Sequence, residues 1–102
     1  MNKYNRKIIN DRVLEYAPRM QPLLPDHPSH PYGRKAYAHM YDVMKRVFGC
    51  PIDQVRDERL VDALEILKYC MDHATEMSVA TPLRKKYAPE PKPSTLDDFF
   101  ND

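Results

Sequence analysis

Apolar positions recur along this chain at helical spacing in three stretches, separated by proline-rich polar segments. In the first, from about Tyr4 to Tyr16, Ile9, Val13, Tyr16 and Ala17 share a face with Ile8 at its edge, while Lys3, Arg6, Lys7 and Arg12 fill the rest. Pro18 is expected to end this helix, because a proline disfavours helical geometry in the residue before it. The second stretch, Arg34 to Phe48, sets Tyr37, Met40, Tyr41, Met44, Val47 and Phe48 on one face and Arg34, Lys35, Asp42, Lys45 and Arg46 on the other. Gly49 stands where a helix C-cap glycine belongs, and Pro51 follows. The third stretch places Leu60, Ala63, Leu64, Leu67, Cys70 and Met71 in line, widened by Val61 and Ile66, with Asp53 or Asp57 available as N-cap.

Between the first two stretches lies Pro18 to Pro31, with five prolines in fourteen residues. Proline supplies no backbone N–H to a helix or a sheet ladder. Met20, Leu23 and Leu24 give the segment something to bury, so it is expected as an extended strap on the body. After Glu76 the pattern fades. The expected fold is all-α: a small three-helix body with a proline-rich strap and a flexible C-terminal tail. In residue ranges, 1–80 form the helical body, 81–93 a basic and proline-rich linker, and 94–102 a tail.

Composition narrows the picture. The 102 residues allow one small domain, and two glycines against ten prolines favour helices over tight hairpins. Charge is uneven: residues 88–102 carry a net −3 and residues 1–87 a net +4. No apolar run has the length of a signal peptide or a membrane span, so a reduced, cytoplasmic protein without membrane contact is expected, with Cys50 and Cys70 as free thiols. His27 and His30 with the two cysteines make a poor zinc set, since no paired ligand motif anchors them. Glycine-rich phosphate loops and an activated nucleophile are also lacking, so no enzyme, metal or cofactor is expected.

The tail carries the sharpest signal. If Leu96 to Phe100 makes one helical turn, Leu96, Phe99 and Phe100 share a face, while Asp97 and Asp98 point away and keep the segment soluble. Behind the proline spacer Ala88 to Ser94, this is an apolar plug awaiting a pocket on a partner. The segment resembles the sliding-clamp docking motif of replication proteins, with Leu96, Phe99 and Phe100 on its aliphatic and aromatic positions and Pro93 where that motif has Gln.

A small helical body with such a tail resembles the late-transcription coactivators of T-even-like bacteriophages. That resemblance implies an adaptor whose body grips the flap of the host RNA polymerase β subunit and whose tail, residues Leu96 to Phe100, holds the phage or PCNA-like sliding clamp. DNA would be contacted only indirectly, and a sigma-like factor belongs to such an assembly. For the polymerase contact, the sequence offers Tyr37, Met40, Tyr41, Met44 and Val47. The same face also reads as core. Two alternatives stay open: a helical nucleic-acid-associated regulatory or recombination module of phage type, with Arg34, Lys35, Lys45 and Arg46 on phosphate, and an inhibitor of clamp or polymerase.

Overall fold

The computed structural model describes residues 1–26 and 33–91. Four helices and no strand occur among them: α1 (Lys3–Met20), α2 (Ala36–Phe48), α3 (Leu60–Asp72) and α4 (Ala80–Lys86). The all-α expectation holds, with one helix more than the pattern suggested.

Helix α1 starts at Asn2, whose side chain accepts the Asn5 N–H at 2.8 Å. Its buried residues are Ile9, Val13, Tyr16 and Met20. Pro18 does not close the helix but lies within its last turns, and the Gln21 N–H still reaches the Ala17 carbonyl. A proline there forgoes the N–H bond to the Leu14 carbonyl, a cost borne by the helix rather than avoided. Continuing the helix buries Met20 completely, which returns about 1.5–3 kcal/mol.

The expected strap is accordingly shorter and more helical than anticipated. Its first residues belong to α1, and Gln21–Leu23 form a 3-10 turn. Leu24 packs against the core and Leu23 is half-exposed. Gln21 then brackets the entry to α2: its Nε2 donates to the Arg34 carbonyl at 2.5 Å, and its Oε1 accepts the Ala36 N–H at 2.8 Å. Asn10 meets Tyr37 and Tyr41 further along, so α1 and α2 run antiparallel. His27 and His30 lie outside the described residues.

Helix α2 ends as expected, on Gly49 in the left-handed conformation (φ 79°). A helical polypeptide reverses there cheaply only with glycine. Helix α3 is rotated slightly from its anticipated stripe. Ala63, Ile66, Leu67 and Cys70 are buried, while Leu60, Leu64 and Met71 flank the core and Val61 is 63% exposed.

No side chain caps α3, contrary to the expectation for Asp53 or Asp57. Asp57 serves α1 instead, accepting the Asn2 N–H at 2.5 Å and approaching the Asn5 side-chain nitrogen at 3.5 Å. A carboxylate at a helix N-terminus meets the positive end of the dipole, whichever helix supplies it. Met1 is buried alongside, its nitrogen donating to the carbonyls of Val55, Asp53 (3.3 Å) and Ile52 (3.4 Å).

Helix α4 lies where the sequence pattern fades. Val79, Leu83 and Tyr87 recur every four residues and are all buried. Pro82 sits in the first turn, where no intrahelical N–H bond is required of it. Arg84, Lys85 and Lys86 fill the last turn, exposed and favourable to the dipole. The helix packs on α2, so much of the expected linker 81–93 belongs to the folded body. One core joins all four helices, with Phe48, Met20, Met40, Met44, Ile66 and Leu67 among its largest fully buried side chains. No helix among the described residues is long and apolar enough to cross a membrane.

Candidate partner-docking surfaces

The tail residues Leu96, Asp97, Asp98, Phe99 and Phe100 lie outside the described residues. The polypeptide leaves α4 at Tyr87, which is buried and donates its hydroxyl to the Glu65 carboxylate. Burial and that carboxylate hold the Tyr87 phenol up at about 12. The Arg59 guanidinium lies 4.6 Å over the Phe48 ring and donates to the Ala88 carbonyl at 2.6 Å. It also pairs with Glu90 at 3.2 Å and with Asp62 at 3.0 Å. Arg56 adds a second pair to Glu90 at 3.0 Å, and the Glu90 N–H donates to the Phe48 carbonyl at 2.8 Å. The Glu90 side chain is 6% exposed. This clasp, which the sequence reading missed, fastens a proline-flanked segment to the junction of α2 and α3.

The structure divides the Met/Tyr face of α2. Met40, Met44 and Val47 are core residues with at most 1% exposure, so they offer nothing to a polymerase while the body is folded. That part of the expected contact set is corrected: the helical stripe is satisfied from within by α1, α3 and α4. Tyr37 and Tyr41 remain at the surface edge. Both hydroxyls donate to Asn10 Oδ1, at 2.8 and 2.9 Å, and the rings tilt together with centroids 5.1 Å apart. Partial burial, with Tyr37 beside it, pushes the Tyr41 phenol up to about 12. Leu14, one helical turn beyond Asn10, is 54% exposed. This aromatic edge joins α1 to α2.

The basic residues also separate. Arg34, Lys35 and Arg46 line one groove of about 600 Å³ between α2 and Met77–Ala80, with His39 and Asp42 among its other walls. Arg34 Nη2 donates to the His39 ring Nδ1 at 2.8 Å, and its Nη1 is buried without a hydrogen-bond partner among the described residues. Arg46 is tied to Asp42 at 2.8 Å, which neutralises part of the groove's charge. Lys45 lines a different hollow of about 430 Å³ beside Arg6, Tyr41 and Ile52.

Cys70 is fully buried, and that burial drives its thiol up to about 12. Cys50 is half-buried, with its thiol raised first by burial and then by the charges of Glu90 and Asp53. Among the described residues no three His, Cys, Asp or Glu side chains converge to hold a metal ion. Compared with known proteins, the chain matches no family model, no curated protein and no solved structure.

Proposed function

We propose that the chain is a non-enzymatic adaptor that joins an RNA polymerase to a DNA sliding clamp, in the manner of a phage late-transcription coactivator. The observation that carries this reading is the Glu90 clasp. A two-ended adaptor must transmit position from one partner to the other, and here the docking segment begins six residues after a point fixed to a folded body. The plug Leu96, Phe99 and Phe100 enters an apolar pocket on the clamp, at about 1.5–3 kcal/mol of gross stabilisation per side chain, less the cost of ordering the tail. A binding free energy of about −8 kcal/mol, micromolar affinity, is in keeping with such a short segment. Tethering then raises its effective concentration, so a polymerase-bound adaptor holds the clamp more firmly than a free tail would. The clamp, threaded on DNA, delivers the polymerase without this chain reading any base.

For the polymerase β subunit, the body offers the edge of Tyr37, Tyr41 and Leu14 in place of the buried methionines. Exposed aromatic and aliphatic side chains held on two packed helices make a rigid contact of low entropic cost. The test is Phe99→Ala combined with Phe100→Ala. Clamp capture is expected to disappear while polymerase capture persists; undiminished clamp capture by the double variant refutes the reading.

A second reading has one observation in its favour: Arg34, Lys35 and Arg46, assigned to phosphate in a nucleic-acid module, share one groove. It requires affinity for bare DNA that falls steeply with salt in electrophoretic mobility measurements. An inhibitor would use the same contacts as an adaptor, and transcription measured with and without clamp separates the two by sign.

A further inference from the structure

The groove between α2 and Met77–Ala80 joins basic and apolar chemistry in one channel. Its α2 wall is a stripe at helical spacing, Lys35, Ala38, Asp42 and Arg46, which runs about 16 Å at about 1.5 Å per residue. Three cations, Arg34, Lys35 and Arg46, line it against one carboxylate, Asp42, which Arg46 already holds. Arg34 and Lys35 have no carboxylate partner among the described residues, where Arg34 also keeps its Nη1 donor unspent. Arg84 stands one helical turn beyond Ala80 on α4 and is exposed, so it prolongs the basic rim. The floor is apolar. Val43 and Val79 are buried beneath it, the small side chains of Ala38 and Ala80 leave it open, and Met77 lines it at 51% exposure.

These features select among ligands. A phosphodiester backbone would engage the cations and leave the apolar floor in water. A purely apolar segment would cover the floor and leave Arg34 and Lys35 without counter-charge. A segment with carboxylates on one side and aliphatic side chains on the other answers both. We infer that the groove is a docking site for an acidic amphipathic helix of a partner protein. Its carboxylates meet Arg34, Lys35 and Arg84, and its aliphatic anchors lie on Met77, Ala38 and Ala80. Apolar residues repeating every three or four positions, laid in a groove, are an established mode of helix recognition, and an unbranched methionine adapts to such anchors. The volume of about 600 Å³ lies within the roughly 300–1,000 Å³ of sites that enclose small ligands, so it admits anchoring side chains rather than a folded domain. The groove is on the flank of α2 away from Tyr37 and Tyr41, which meet α1 through Asn10. The inference therefore adds a surface and depends on neither the clamp nor the polymerase contact.

The probe is a fluorescent synthetic peptide of about 14 residues, with Leu on one helical face and Glu elsewhere. Its counterpart carries Lys in place of every Glu. Anisotropy titrations with the full chain are expected to show the Lys peptide binding at least about tenfold more weakly than the Glu peptide. Lys35→Glu combined with Met77→Ser alters two exposed positions and leaves the core untouched; it is expected to weaken the Glu peptide at least about tenfold. Lys45→Glu, in the separate hollow beside Tyr41, is expected to weaken it by no more than about twofold. Melting curves establish that both variants stay folded. Backbone amide resonances place the site: on adding the Glu peptide, shifts are expected at Lys35, Ala38 and Met77 to Ala80. The inference is overturned if the Glu peptide does not bind, or if its shifts centre on Tyr41 and Lys45. It is also overturned if the double variant binds as the native chain does, or if a DNA duplex of about 20 base pairs binds the same groove more tightly than the peptide at physiological salt, which would favour the phosphate reading.

Discussion

Removing the Glu90 carboxylate tests the clasp most incisively. In Glu90→Gln the side-chain volume stays, but Arg59, 11% exposed, loses one of its two carboxylates. Asp62 and the Ala88 carbonyl remain to it, and Arg56, 59% exposed, gives up a pair worth little. The loss is therefore smaller than the 3–5 kcal/mol of a fully stranded buried charge, about 1.5–3 kcal/mol. Arg59→Met keeps an apolar stem over the Phe48 ring but leaves the buried Glu90 with only a solvent-exposed arginine, and is expected to cost about 3 kcal/mol. The double variant removes both charges together and is expected to be less destabilised than the sum of the singles by about 1–2 kcal/mol. Urea titration followed by helical circular dichroism measures all four chains. For a domain of this size, about 1 kcal/mol moves the melting temperature by roughly 4–8 °C, so each single variant gives a clear shift. Single variants within about 0.5 kcal/mol of the native chain, or strict additivity in the double, would refute the coupling inferred from the geometry.

Two further predictions concern the body. Met40→Ala empties a fully buried site and is expected to cost about 2–5 kcal/mol, whereas Tyr37→Ala, at 44% exposure, should cost about 1 kcal/mol or less; thermal melts in the reverse order would contradict the assignment of Met40 to the core. Tyr87→Phe removes a buried hydroxyl bonded to Glu65, at about 1 kcal/mol near neutral pH. Because the folded phenol is raised from 10 to about 12, its contribution is complete below pH 10 and is lost as pH rises toward 12. The stability gap between native and Phe chains should therefore shrink in denaturant titrations above pH 10, and a constant gap would show that the phenol is not held protonated.

Periodicity revealed α2 and α3 because their apolar faces repeat over 13 residues each. It also located Ile9, Val13 and Tyr16 on the buried side of α1. Helix α4 was illegible for a physical reason: at seven residues it is too short to display a period, and Pro82 reads as a breaker until its first-turn position is known. Pro18 misled in the same way, since the full burial of Met20 is a tertiary reward that no local rule contains. Asp57 looked like a cap for α3 and proved to serve α1, a partner 55 residues away. The Arg59–Glu90 clasp left no sequence signal, because a glutamate between two prolines resembles solvated linker until its arginine is found across the fold. The Met/Tyr face illustrates the opposite limit. Its stripe located the helix face correctly but could not say which residues the core would claim, and the division came at Tyr37 and Tyr41, where Asn10 holds both hydroxyls at the surface.

The most direct test of the adaptor account is capture of partners by the intact chain and by a chain ending at Lys92, each presented with purified RNA polymerase and sliding clamp. The shortened chain keeps the four helices and the clasp, so it is expected to retain the polymerase and lose the clamp, while the intact chain bridges both. Clamp retained by the shortened chain, or polymerase lost together with the clamp, would contradict the division of labour between body and tail.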